Sequence, residues 1–338
     1  MKRVVFLLLL LVLFFSSCRV IEPVGKTEFV LGTVCTISVY DNTKKASQAI
    51  DEVFAALKEL EKKLSANDES SMISRINKYA YSRDVSADEE TAFILKKAME
   101  YAEKSGGAFD PAIGAIVKLW NIGTEDARVP SENEIEKLLL SADYQNINIR
   151  ETSIRLLNPD TRIDLGAIAK GYASDIARDI LKKNGITRAI IDLGGNIYAM
   201  GKRPTGEEWR IGIQDPRGDK GIYIGIVHVS DMAVVTSGDY ERFFTVNGKR
   251  YHHIIDPTSG YPAENGLLSV SVISKSGIDA DALSTTLFVL GADKGKDFIK
   301  KYAKDAEAVF ITTDRRIITT DGLKDILDIT TTNYQLGK

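Results

Sequence analysis

From Arg188 onward the chain is a succession of short β-branched and aromatic runs: "RAIIDLGGNIYAMG", "WRIGIQDP", "GIYIGIVHVS", "MAVVTSG", "ERFFTVNGKRYHHIID" and "LLSVSVIS". Gly, Pro, Asp and Asn separate each run from the next. Such runs set alternate side chains on the two faces of a sheet, and the residues between them supply the turns. In "FFTVNGKRYHH" the pair Asn247-Gly248 stands between two alternating stretches, a strong signal for a two-residue hairpin. The pair "AVFITTD" and "RIITTDG" adds two more strands near the end of the chain.

Helical patterns are interleaved with these strands. Ile50, Val53, Phe54, Leu57, Leu60 and Leu64 recur at helical spacing, which predicts an amphipathic helix over Ser47–Leu64. Ser86 with Glu89 reads as a capping box for a helix to about Lys104, closed by Gly106-Gly107, and Ser131 with Glu134 as another after Pro130. Two further helices are expected over Asp279–Leu290 and Lys294–Lys304, and Glu28–Tyr40 reads as one strand. Helices among hairpin-linked strands predict an α+β fold with mixed, largely antiparallel sheets. No linker or repeat divides residues 27–338, which read as one domain.

The first residues, "MKRVVFLLLLLVLFFSSC", join a basic start at Lys2 and Arg3 to an apolar run from Val4 to Phe15. That run is too short for a membrane span of roughly 20 residues and reads as a secretory signal over residues 1–17. Ser16-Ser17-Cys18 resembles a bacterial lipoprotein cleavage site, at which Cys18 carries lipid and residues 18–26 form a tether. The expected location is extracytoplasmic, on the periplasmic side of a bacterial membrane, held by that anchor. A lipidated Cys18 leaves Cys35 with no disulfide partner. With 44 Lys plus Arg against 47 Asp plus Glu, the net charge of -3 offers no basic field for nucleic acid.

Three stretches could carry chemistry. His252 and His253 are two of only three histidines, and a strand sends them to opposite faces, so one of them at most points into a given site. The pair is equally readable as polar hairpin surface. In "IDADALSTTLFVLG" Asp281 and Thr285 are one helical turn apart. Carboxylate and hydroxyl form a hard oxygen pair suited to Mg²⁺ or Ca²⁺, although Asp281 could simply complement the helix dipole, with Asp279 as the cap. "DLGAIAKGYASD" runs from an expected strand into a helix through Gly166, with Lys170 in the first turns, a combination suited to an anionic ligand such as phosphate. The Gly194-Gly195 and Ser237-Gly238-Asp239 turns, and Phe109 and Trp120 near Asp110-Pro111, are compatible with ligand contact and with plain turn and core roles. No Gly-x-Ser-x-Gly elbow or Cys-x-x-Cys pair occurs.

Taken in order, "LGTVCTISVY", "LSANDESSMISRIN", "GGAFDP", "DLGAIAKGYASD", "IDLGGNIYAMG", "TSGDYERFF", "HHIIDPTSGYPA" and "ADALSTTLFVLG" resemble the ApbE family of FAD:protein FMN transferases over essentially the mature chain. The resemblance implies a T-fold-related α+β architecture and Mg²⁺-dependent transfer of FMN from FAD to a threonine hydroxyl of an acceptor protein, releasing AMP. Acceptors of that family are subunits of membrane redox complexes. The implied metal ligands are Asp281, Thr285 and the carbonyl of Ala167. The implied catalytic residues are His253, as base, and Asp256. The implied flavin contacts are Asn67, Phe109, Asp110, Lys170, Gly194, Gly195, Thr236, Ser237, Gly238, Tyr240 and His253, while His252 is structural. FAD hydrolysis to FMN and AMP, or FAD binding without chemistry by a lipoprotein, are the alternatives.

Overall fold

The computed structural model describes residues 22–41 and 44–337. The expected signal and the lipidation residue Cys18 lie outside the described residues. In chain order the elements are β1 (Val24–Val30), β2 (Thr33–Val39), α1 (Ala46–Leu64), α2 (Met72–Tyr79), β3 (Val85–Ser86), α3 (Glu89–Ser105), α4 (Gly114–Trp120), α5 (Glu132–Leu139), β4 (Ile147–Arg150) and β5 (Ser153–Leu156). There follow α6 (Ala169–Lys183), β6 (Ala189–Leu193), β7 (Asn196–Met200), β8 (Trp209–Gln214), β9 (Tyr223–Val229), β10 (Met232–Gly238), β11 (Phe243–Val246) and β12 (Lys249–His252). The last are β13 (Leu267–Ser274), α7 (Gly277–Leu290), α8 (Ala292–Tyr302), β14 (Glu307–Thr312), β15 (Arg316–Thr319), β16 (Leu327–Ile329) and β17 (Gln335–Leu336).

A nine-stranded sheet in the order β1-β2-β6-β7-β10-β13-β14-β15-β17 forms the middle of the molecule. Its neighbours pair antiparallel except β15 with β17, as hairpin-linked runs require. Strand alternation fills two separate cores. Ile37, Ile191, Val235, Val270, Val272 and Phe310 point to one face and pack with the apolar stripe of α1 and with α6 and α7. Val234, Ile273, Val309 and Ile311 point to the other and meet Trp209, Ile211 and Val227 of a small sheet ordered β16-β9-β8. Because β13 lies between both layers, all eight of its residues are buried, which is why "LLSVSVIS" has so little polar alternation. A satellite cluster under β11–β12 gathers Ile116, Trp120, Ile135 and Ile255 with Phe244, Tyr251 and Tyr261.

Some sequence expectations are corrected here. Glu28–Tyr40 is not one strand but a hairpin, broken by Leu31 and Gly32 at φ 56° and 66°. Two consecutive left-handed residues make a tight turn that matches strand twist, and the leucine hid its first half. The third helix is capped by Asp88, whose side chain accepts Thr91 N–H, instead of by Ser86. Ser276, not Asp279, caps α7 by accepting the Asp279 N–H. Asp279 instead faces α3, where it pairs with Lys97 and accepts the Tyr101 hydroxyl. The segment before Gly166 forms no strand; Arg162 makes only an isolated bridge to Ile113.

Candidate active site

Sheet register brings four distant pieces of sequence to one end of the nine strands. Val30 pairs with Thr33, Cys35 with Leu193, Leu193 with Asn196, and Gly238 with Ser269. The β1–β2 turn, the Gly194-Gly195 turn, the end of β10 and the start of β13 therefore lie side by side. Gly194 (φ 67°) is pressed against Thr33, where an added Cβ would sit 2.2 Å from the threonine oxygen.

Over this end α6 crosses α7 at two glycines. A Cβ on Gly171 would fall 2.2 Å from the Gly277 carbonyl oxygen, and one on Gly277 would fall 2.5 Å from that of Gly171. At such close approach each helix lends a carboxylate to the other. Asp281 of α7 accepts the Gly171 N–H at 2.8 Å, and Asp175 of α6 accepts the Gly277 and Ile278 N–H groups at 2.9 Å each. These bonds satisfy amides at two helix starts that have no intrahelical partner. Burial holds the Asp175 carboxyl above the usual carboxylate range, opposed by those two amides and by Arg178.

Asp281 is 3% exposed, and its second oxygen accepts the Asn196 amide at 2.9 Å. Each carboxylate oxygen thus makes one hydrogen bond and keeps acceptor capacity. Tyr172 donates to the Ile168 carbonyl, but Gly171 donates to Asp281; among the described residues no hydrogen bond reaches the Ala167 carbonyl. Thr285 lies one turn beyond Asp281 and meets the Ser237 hydroxyl at 3.4 Å. Asp281, Thr285 and the Ala167 carbonyl are the oxygen donors that could hold a hard divalent cation such as Mg²⁺. Among the described residues no group of three or more His, Cys, Asp or Glu could hold a metal.

The two histidines divide as strand geometry demands. His252 is buried; its Nε2 lies 3.1 Å from the Ala263 carbonyl, its Nδ1 accepts Ile254 N–H, and its ring meets Phe288 edge-on. His253 lies just past β12, with its N–H and its Nδ1 both on the Arg242 carbonyl at 3.1 and 3.2 Å. Donation from Nδ1 to that carbonyl assigns the tautomer whose Nε2 is a free acceptor. Desolvation, reinforced by the Lys170 charge, lowers the His253 pKa to about 4. The ring is therefore neutral at physiological pH and able to take a proton.

Lys170 also acts on Glu241, which connects the histidine to the carboxylate cluster. The Glu241 side chain reaches solvent, yet the cleft walls desolvate its carboxyl and raise its pKa, opposed by Lys170 and reinforced by Asp281. Burial likewise raises Asp164. Glu241, Arg242, Asn196 and Asp175 were not singled out from sequence. All four fall inside or beside segments that were, as the residues after Tyr240, after Gly195 and at the end of "DLGAIAKGYASD".

Other expected site residues have different surroundings. Phe109, 3% exposed, packs against Tyr101 in the main core. Asp110 accepts Ala112 and Tyr144 N–H, and burial raises its pKa to about 6; it ties loops together. Thr236 bonds Ser271 on the face of β10 opposite Ser237, whose hydroxyl meets Ser284. Asp256 accepts Thr258 N–H within its own turn. Asn67 is exposed in the loop after α1, its N–H on Ser65. The Tyr240 ring lies under Gly238, and burial raises its hydroxyl pKa.

Known proteins share this fold. The model of the ApbE family matches residues 31–310. A FAD:protein FMN transferase of Treponema pallidum (strain Nichols) is 38% identical over 336 residues, covering 94% of this chain and 92% of that protein. Another, from Klebsiella pneumoniae (strain 342), is 37% identical, covering 85% of this chain and 89% of its own. The crystal structure of the ApbE protein from Thermotoga maritima superposes with TM-score 0.83 at 35% identity, covering 90% of this chain and 99% of its own. Flavin transferase ApbE from Vibrio cholerae gives 0.78 at 28% identity, covering 93% and 98%.

Proposed function

The chain belongs to the ApbE family, and from that premise we propose how its own residues carry the reaction of an FAD:protein FMN transferase. The acceptor nucleophile is a threonine hydroxyl. Its proton passes to His253 Nε2 as its oxygen bonds to the phosphorus on the riboflavin side of FAD. The bond from that phosphorus to the bridging oxygen breaks, AMP leaves, and FMN remains joined to the threonine oxygen. Asp281, Thr285 and the Ala167 carbonyl would hold Mg²⁺, which when bound neutralises pyrophosphate charge and stabilises the departing AMP. Lys170 adds a fixed positive charge beside the same phosphates and helps keep His253 deprotonated.

The observation that carries this reading is the His253 ring, fixed through Nδ1 on the Arg242 carbonyl and joined through the Lys170 charge to Glu241 and so to Asp281. Simple flavin storage needs neither feature. The test is to incubate the protein without its leader with FAD, Mg²⁺ and a candidate acceptor domain, then seek an FMN-sized mass gain on threonine with and without EDTA. An adduct formed only without EDTA, lost in His253→Ala and kept in His252→Ala, is the expected result. Free FMN and AMP without adduct would reassign the chain as an FAD pyrophosphatase, and intact FAD would leave a flavin-binding protein.

Location belongs to the same reading. A lipid on Cys18 would hold the enzyme on the extracytoplasmic side of a membrane, beside acceptor subunits of redox complexes. Cys18→Ser should release the protein from membranes and abolish labelling by radioactive palmitate.

A further inference from the structure

Transfer to a protein requires the acceptor to rest on the enzyme while its hydroxyl reaches a phosphorus beside His253. We propose that the outward pair Phe29 and Val34, at the tip of the β1–β2 hairpin, is the surface on which the acceptor polypeptide docks; this rests on the transferase reading. The two residues are direct cross-strand partners and so share one face of the sheet. That face is opposite Val30, which is buried against the helices. The small β16-β9-β8 sheet covers the middle of the face but not this end, and Phe29 and Val34 are 73% and 58% exposed.

Its position commits the patch to the acceptor. The turn that joins Phe29 to Val34 presents the Gly32 carbonyl to the Arg242 guanidinium at 3.3 Å. The main-chain carbonyl of that same Arg242 holds the His253 ring. One residue thus clamps the apolar tip to the catalytic base. On the other side of Arg242, Phe243 of the β11–β12 hairpin is 40% exposed beneath the Arg250 guanidinium, while Val246, 39% exposed, lies on the hairpin's opposite face. Apolar side chains therefore stand on both hairpins that Arg242 joins. Large exposed apolar residues gathered at a rim mark an interaction site. A hydroxyl approaching His253 brings its polypeptide across this rim, whereas the anionic pyrophosphate belongs with the buried polar groups inside.

The test uses Phe29→Asp/Val34→Asp and the milder Phe29→Ala/Val34→Ala, with a purified acceptor domain that the wild-type enzyme flavinylates. Melting temperature and FAD affinity are measured alongside, since both residues project into solvent and outside the cleft. The expected result is a fall of about tenfold or more in kcat/KM for the acceptor, carried by KM, with FAD affinity and melting unchanged. Unchanged transfer by the aspartate variant overturns the proposal. An equal loss of FAD affinity overturns it too, since the pair would then be a flavin wall, as does conversion of a wild-type dimer to monomer. Absence of any adduct with the wild-type enzyme and every acceptor tried would instead remove the transferase reading itself, and the docking proposal with it.

Discussion

Replacing Gly171 with alanine puts a methyl group where the fold leaves no room. The added carbon would lie 2.2 Å from the Gly277 carbonyl oxygen and 2.5 Å from the Asp281 Cβ, and the former is backbone that no rotamer change can move aside. Helices α6 and α7 have to separate, which lengthens the bond from Gly171 N–H to the Asp281 carboxylate. Overpacking costs about 1–3 kcal/mol and a hydrogen bond to a charged group about 1.5–3, against about 1 kcal/mol gained from alanine in a helix. The expected net loss is about 2–5 kcal/mol, a melting temperature lower by about 3–8 °C for a chain of this length. Differential scanning calorimetry reads this directly, with Gly25→Ala as control. At Gly25 the new carbon would meet only ordinary contacts of 3.4 and 3.5 Å, so its melting should stay within about 1 °C. Mg²⁺ titration by calorimetry should show weaker binding in Gly171→Ala and none of that weakening in Gly25→Ala. A Gly171→Ala protein that melts with the wild type and binds Mg²⁺ equally well would refute the reading that this crossing builds the metal site.

Four further outcomes follow from the same structure. Asn196→Ala removes the amide that orients Asp281 and should weaken Mg²⁺ binding by about 10–100-fold, read by calorimetry, while the fold persists. His253 titrates at about 4 instead of its ordinary 6.5, so kcat/KM should stay flat down to about pH 5 and fall only as pH drops through about 4. In Lys170→Met the lost positive charge raises the His253 pKa and moves that acid limb upward; a limb that stays put would remove Lys170 from the electrostatics of the base. Asp110 has its pKa raised from 3.8 to about 6, so between those values the folded protein binds more protons than the unfolded chain. The stability it contributes is present below pH 3.8 and lost as pH rises through about 6. Urea midpoints across that window should be flatter in Asp110→Asn.

Some of this was legible in the sequence because it depends on near neighbours. The Asn247-Gly248 turn formed as written, with both residues at positive φ, and the apolar stripe from Ile50 to Leu64 is the buried face of α1. The pairing of Ser131 N–H with Glu134 at the start of α5 is equally local. Strand alternation sends His252 and His253 to different surroundings, one bonded to Ala263 and one to Arg242. The hard-oxygen character of Asp281 and Thr285 is residue chemistry that no fold alters.

Tertiary structure decided what those residues are used for. Asp110 and Phe109 stand in a segment that looked like a ligand loop, yet one carboxylate joins two loops and one ring fills the core. Asp175 pairs locally only with Arg178, and the amides it caps, Gly277 and Ile278, are about a hundred residues away, so its role at the helix crossing leaves no local signal. The same distance hid why Gly171 must be glycine, since the atom it would strike belongs to another helix. Local pattern fixes an element through contacts within a few residues, so sequence alone determined most strands and helices and the chemical types available to a site. Which side chains share a cleft depends on the register of nine strands and one helix crossing, and those contacts join segments that have no nearness along the chain.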